Sequence, residues 1–200
     1  MKNYLIILLL FLSVGFCQQE YRYNDLIVMD NGLYTIKFSD EPITGKVYGY
    51  FGEEGNLEKV YIGNLLNGKK EGKWTWWYHE TGRKSEEINY KKGEIDGLHI
   101  EWYENGQKKY ERTWKDGKEI ELTKWEYYRN DQMESEGTYK DGEKDGLWTY
   151  WYENGQKNSF QTYKDGKLNG LYTIYHENGE KWTEGIIKGK DESGNIIKDG

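Results

Sequence analysis

The chain has 200 residues, a net charge of −7 and 32% charged side chains, with a mean hydropathy of −1.04. It contains 25 Gly, 19 Tyr and 9 Trp but one Pro and no Ala; this disfavours a helical bundle and a thick aliphatic core, since Ala is the best helix former and rings fit a pleated surface. The acidity excludes nucleic acid and anionic lipid as natural partners, and the ring content argues against disorder, because Trp and Tyr carry large buriable area.

Residues 1–17 read as a secretory signal peptide. One Lys precedes a mostly apolar run from Tyr4 to Phe16. That run is short for a bilayer span and suits the apolar region of such a signal. Gly15 and Cys17 put small residues at −3 and −1 of a cut before Gln18. A rival reading makes Cys17 the lipidated residue of a lipoprotein, with Phe16 standing where that signal wants a small side chain. An uncleaved anchor is the third reading. Each predicts an exported protein, in the periplasm, the cell envelope or the medium, that meets a membrane only through its N-terminus. Cys17 is the only cysteine, so the mature chain has neither disulfide nor thiol chemistry.

Residues 18–41 are expected to cap one end of a sheet, with strands around "LIVMD" and "GLYTIKF". From 42 to 190 the chain repeats itself in six units. Their turn positions are Gly55, Gly82, Gly106, Asp131, Gly155 and Gly179, each preceded at four positions by an aromatic ring: Phe51, Tyr78, Trp102, Tyr127, Trp151 and Tyr175. A second turn recurs at Gly68, Gly93, Gly117, Gly142 and Gly166. Asn-Gly between alternating runs predicts a two-residue type I′ hairpin. At Asn154-Gly155 this would set Glu153 opposite Gln156, Tyr152 opposite Lys157, Trp151 opposite Asn158 and Thr149 opposite Phe160. Trp148, Tyr150 and Tyr152 would then share one face, and Leu147, Thr149 and Trp151 the other. Both faces mix rings with polar groups, so the fold class expected is all-β: a single-layer antiparallel meander of tandem hairpins, twelve strands and roughly 55 Å long. Residues 191–200 form a polar tail, either a frayed end or a last weak strand.

The phrase "DGLWTYWYENGQK…YKDGK" resembles the MORN-repeat variant, found in tandem in many bacterial proteins. The stretch from Gly32 to Gly55, with Pro42, Thr44, Gly45 and Lys46, is similar to the segment that leads into such repeats. The resemblance covers roughly residues 26–188 and implies a hairpin sheet. It also implies a function: members often bear the label of a toxin–antitoxin system antitoxin, and standard MORN repeats resemble scaffolds proposed to sit on membranes. Two positions depart from the pattern. Leu122 stands where neighbouring units have Gly97, Gly146 and Gly170, and Asp131 stands where others have a turn Gly. A signal peptide would also place the protein away from any cytoplasmic toxin.

No constellation in the sequence demands catalysis, a metal or a cofactor. His79, His99 and His176 lie in different units and read as flat strand residues. Glu104, Glu153 and Glu177 recur beside the turn, as a surface device would and a catalytic pair would not. Ser85, Ser135 and Ser159 have no His or Asp pattern beside them. "GYFGEEG" lacks the Lys of a phosphate loop. What remains is the rings. "KWTWWYHE" places Trp74, Trp76 and Trp77 in four positions, beyond what clamping a sheet requires. With Tyr78, Trp102 and Trp151 they are the candidate partner-binding aromatics, for a protein or for a polysaccharide. The reading is a non-catalytic exported binding or scaffold module. Its alternatives are an antitoxin or immunity-type partner of a neighbouring gene product, and a glycan-binding surface.

Overall fold

A computed structural model describes residues 19–52, 57–190 and 196–199, with side chains through Lys188. The expected signal peptide, Cys17 and the Gly55 turn lie outside the described residues. The fold is nearly all strand. Twelve strands form six consecutive hairpins: β4 (Gly45–Phe51) with β5 (Glu58–Leu66), β6 (Lys69–Trp77) with β7 (Lys84–Lys91), β8 (Glu94–Trp102) with β9 (Lys108–Lys115), β10 (Lys118–Tyr127) with β11 (Met133–Lys140), β12 (Glu143–Trp151) with β13 (Lys157–Lys164), and β14 (Lys167–Tyr175) with β15 (Lys181–Lys190). They pair in chain order in one sheet. Two more strands lie at its edges: β1 (Glu20–Arg22), parallel to β4, and β16 (Ile196–Asp199), antiparallel to β15. A small separate hairpin is made by β2 (Leu26–Val28) and β3 (Tyr34–Ile36).

The turn chemistry differs from the expectation in where each type falls. Type I′ geometry belongs to the second turn series. Both central residues have positive φ at Asn67-Gly68 (+49°, +71°), Lys92-Gly93 (+54°, +90°), Asp116-Gly117 (+49°, +73°), Asp141-Gly142 (+50°, +83°) and Asp165-Gly166 (+49°, +72°). At Asn154-Gly155 only the glycine is left-handed (+81°). The Gly155 N–H donates to the Tyr152 carbonyl and the Tyr152 N–H to the Gln156 carbonyl, both at 2.8 Å. This is a three-residue loop, a type I turn closed by a left-handed residue. The Asn154 Oδ1 fixes it by accepting the Gln156 N–H at 2.9 Å.

The longer loop changes the register, and a bulge changes it back. Trp151 faces Lys157 rather than Asn158, which is the extra residue, and Tyr150 faces Ser159. The predicted Thr149–Phe160 pair therefore forms, although the pairs predicted nearer the turn do not. The same correction recurs just before Trp77, Trp102, Tyr127 and Tyr175. It also shows that Trp77, not Tyr78, occupies the place of Trp102 and Trp151. Tyr78 bonds to Arg83 across a loop one residue longer, so counting back from Gly82 misassigns it.

Both departures from the repeat are accommodated. Asp131 adopts the left-handed φ of the turn glycines (+64°), and the loop keeps its two backbone bonds. Leu122 does not. Gly97, Gly146 and Gly170 have φ of +99°, +78° and +109°. There the glycine-bearing strand holds two residues more than its neighbour: Ile88 faces His99 while Tyr90 faces Ile95, and Gln161 faces Tyr172 while Tyr163 faces Leu168. Between β9 and β10 the excess is one residue, Ile120.

The single-layer meander forms as expected, and at its N-terminal end one face gains a cover. Val47, Ile62, Leu65 and Trp74 are buried beside Ile43, with Tyr21, Tyr23, Leu26 and Tyr34 packed against them. Residues 19–43 fold back over the sheet and make a small two-layer core there. Farther along, rings and aliphatic stems on one layer cover each other.

Candidate functional site

The predicted aromatics are not one exposed platform. Trp74 is 0% exposed. Trp76 meets Tyr23 edge-on at 4.9 Å, and Trp77 packs on Phe51 at 5.2 Å. Through Trp76 the three-Trp cluster joins the N-terminal segment to the sheet, and its surplus of rings matches the small core at this end. Tyr78, Trp102 and Trp151 are half-buried. The Tyr78 hydroxyl donates to the Trp102 carbonyl at 2.7 Å. Tyr128 and Tyr152 donate likewise to the carbonyls of Trp151 and Tyr175 at 2.8 Å. Each hydroxyl thereby ties one repeat to the next.

A second device was hidden in the sequence. Trp74 lies across Gly63 of the neighbouring strand, and its Nε1–H donates to the Asn64 carbonyl at 3.0 Å. Trp148 lies across Gly137 and donates to the Thr138 carbonyl at 3.0 Å. A lysine seals each ring. Lys70 Nζ is 4.8 Å from both Trp74 and Tyr90, and Lys144 Nζ is 4.0 Å from Trp148 and 5.2 Å from Tyr163. Gly63, Lys70 and Trp74 recur at one fixed offset as Gly137, Lys144 and Trp148, the signal by which sequence reasoning could have found the pair. Burial lowers the Lys70 pKa, and it pushes Tyr90 up to about 12 with help from Glu86 and two neighbouring tyrosines.

Between the two clamps the same face turns polar. Glu86 stands directly opposite Glu101, next to buried His99. His99 Nε2 is 2.8 Å from Glu86 Oε1 and 3.9 Å from Glu101 Oε1. Farther on, Lys124 and Ser135 both hydrogen-bond Glu126, which holds its carboxyl below the usual range. Among the other candidate groups the carboxylates lie beside the turns as expected, whereas His79 and His176 are not the flat strand residues expected, because each falls just past the end of its strand. His79, His176, Glu104, Glu153 and Glu177 are exposed at turns. The carbonyls of Glu153 and Glu177 accept from Asn130 (2.9 Å) and Asn154 (3.1 Å), knitting consecutive turns together. Ser135 is committed to Glu126, Ser159 is buried, and Ser85 is a bulge residue. His99 is the exception, because cross-strand pairing brings Glu86, thirteen residues away, to the side chain that already has Glu101 beside it on the same strand face.

The opposite face carries an open apolar row. Leu147 faces Thr162, and Leu171 faces Ile186. Leu147, Leu171 and Ile186 are 58%, 46% and 42% exposed. The recesses among the described residues include open grooves between β1, the β2–β3 hairpin and Tyr48, between that hairpin, Lys70 and Tyr90, and at the turns around Tyr103, Asn105 and Asp131.

The repeating hairpin is thus defined by its turns, bulges and ring ladder. A family model described as MORN repeat variant matches residues 95–116, 125–141 and 144–165. These segments are the β8–β9 hairpin, the end of β10 with β11, and the β12–β13 hairpin. The match supports the repeat family expected from the sequence. MORN repeats are in general protein- or lipid-binding modules without enzymatic activity. No curated protein matches the chain.

Proposed function

We propose that the protein is an exported, non-catalytic binding or scaffold module whose repeat sheet engages a protein partner. The observation that carries this reading is the apolar row of Leu147, Leu171 and Ile186. These side chains project from the face opposite Trp148 and remain exposed. Large apolar side chains left exposed on one face of a sheet are what a protein interface buries first. The regular ribbon offers such a row on a rigid support, in the way repeat arrays bind through extended surfaces. A fully enclosed Trp74 has no area to offer a sugar ring, which removes the centre of the glycan-binding reading. The antitoxin or immunity-type reading uses the same row and differs only in the partner, the product of a neighbouring gene.

The test is cross-linking of the full chain to envelope proteins, wild type beside the Leu147→Asp/Leu171→Asp double variant. The expected result is a partner captured by the wild type and lost from the variant, with both keeping the same far-ultraviolet circular dichroism. Equal capture by the two proteins removes this surface from the account. Capture of the neighbouring gene product selects the immunity-type reading.

A further inference from the structure

We propose that Glu86, His99 and Glu101 form a binding site for a divalent cation of the zinc class. His99 and Glu101 stand two residues apart on β8 and so point to one face. Glu86 on β7 is the cross-strand partner of Glu101. One ligand atom from each residue lies within 4.8 Å of the others. In a tetrahedral zinc centre with bonds of about 2.0–2.2 Å, ligand atoms sit ~3.3 Å apart. The separations of 2.8 and 3.9 Å from Nε2 to the two carboxylates bracket that spacing. Two carboxylates directly opposite each other repel, and partial burial strengthens the repulsion. A cation between them converts that repulsion into coordination.

The supporting contacts are in place on one side. Lys109 Nζ holds Glu101 Oε2 at 3.3 Å, which leaves Oε1 turned toward His99. Tyr110 packs edge-on against the imidazole at 6.0 Å. A ring nitrogen among the ligands disfavours Mg2+ and Ca2+, and the absence of a thiolate from this trio disfavours Cu+. Glu86 and Glu101 keep 30% and 22% of their side-chain surface exposed. This provides a route from solvent and a fourth coordination position for water or a partner's side chain. The His99 Nδ1 has no hydrogen-bond partner, and Lys109 and Arg112 add positive charge nearby. These features make the site a labile one, not one on which folding depends.

The full chain, expressed without a histidine tag and stripped with chelator, is titrated with Zn2+ by calorimetry and with Co2+ by visible absorbance. Binding of one Zn2+ per chain is expected, with a Co2+ spectrum of nitrogen and oxygen ligation and no competition from excess Mg2+. Glu101→Gln and His99→Gln each weaken binding by at least the ~10–100-fold that loss of a supporting partner alone produces. His176→Gln, an exposed turn residue, leaves it unchanged. Circular dichroism identifies any variant that has not folded, and Glu101→Gln preserves the side-chain shape. Absence of stoichiometric Zn2+ binding overturns the proposal. So does a folded Glu101→Gln that binds as tightly as the wild type.

Discussion

At the residue scale, the most demanding contact is a ring laid on a glycine. A Cβ added at Gly137 would stand 2.1 Å from the Trp148 ring, and one at Gly63 would stand 2.5 Å from Trp74. Neither glycine has a positive φ, so the requirement is space alone. Gly137→Ala is expected to destabilise the protein by ~1–3 kcal/mol through overpacking. Trp148→Ala, which removes a ring only 3% exposed, is expected to cost about 3–5 kcal/mol. The two effects should not add, because the alanine has nothing to strike once the ring is gone. Urea unfolding of the two single variants and the double variant measures this coupling. The columns of rings were legible in the sequence because every repeat shows them. The glycines beneath two of them were not, since Gly63 and Gly137 look like ordinary strand residues until their lysine and tryptophan are placed beside them. His99 was illegible for another reason: its partner Glu86 is set by register, and a one-residue error in register would have hidden it.

At the scale of the element, hairpin identity and strand count could be read directly from turn spacing, and the twelve repeat strands form as expected. The assignment of turn types could not. Asn-Gly was read as the type I′ signal, yet here the Asn side chain braces a three-residue loop and the Asp-Gly series takes the type I′ form. Propensity for a turn does not reveal loop length when a bulge restores the register. The bulge glycines give a cleaner prediction. No atom lies within 4 Å of a Cβ added at Gly146, whose φ is +78°. Gly146→Ala therefore meets only backbone strain, about 1–2 kcal/mol. Leu122→Gly brings no relief, because Leu122 already sits outside the left-handed region. It is expected to lower stability by roughly 0.5–1 kcal/mol through chain entropy. Thermal denaturation of both variants distinguishes strain at the bulge from a general intolerance of substitution.

For the whole molecule, the two ends differ in construction. The N-terminal end is two layers thick around Val47, Ile62, Leu65 and Trp74, while the sheet beyond it relies on its own rings. Tyr90 belongs to the thick end, and its folded pKa is raised to about 12 by burial, then by the charge of Glu86. A raised value means that the folded state holds the proton more tightly than the unfolded chain, whose tyrosines titrate near 10. The contribution is fully present below about pH 10 and is lost as the pH climbs toward about 12. Alkaline titration should therefore loosen the N-terminal end first, and limited proteolysis at rising pH should cut before Trp102. Tyr90→Phe should shift that first loss to higher pH. The two-layer end was only half legible: residues 18–41 were expected to guard an edge, and they also cover a face. Cover over a face depends on which rings meet, as Tyr23 meets Trp76, and periodicity does not encode that.

Each hairpin carries its own compensation of loop length by bulge, so it hands the next strand an unaltered alignment. A gene segment duplicated or deleted between two Asp-Gly corners would rejoin without disturbing a single ladder bond elsewhere. Length in this architecture is therefore free to drift in whole steps of ~10 Å, two strand spacings at a time. Selection can set the reach of the protein as one sets a ruler, leaving the ends and the clamps as they are.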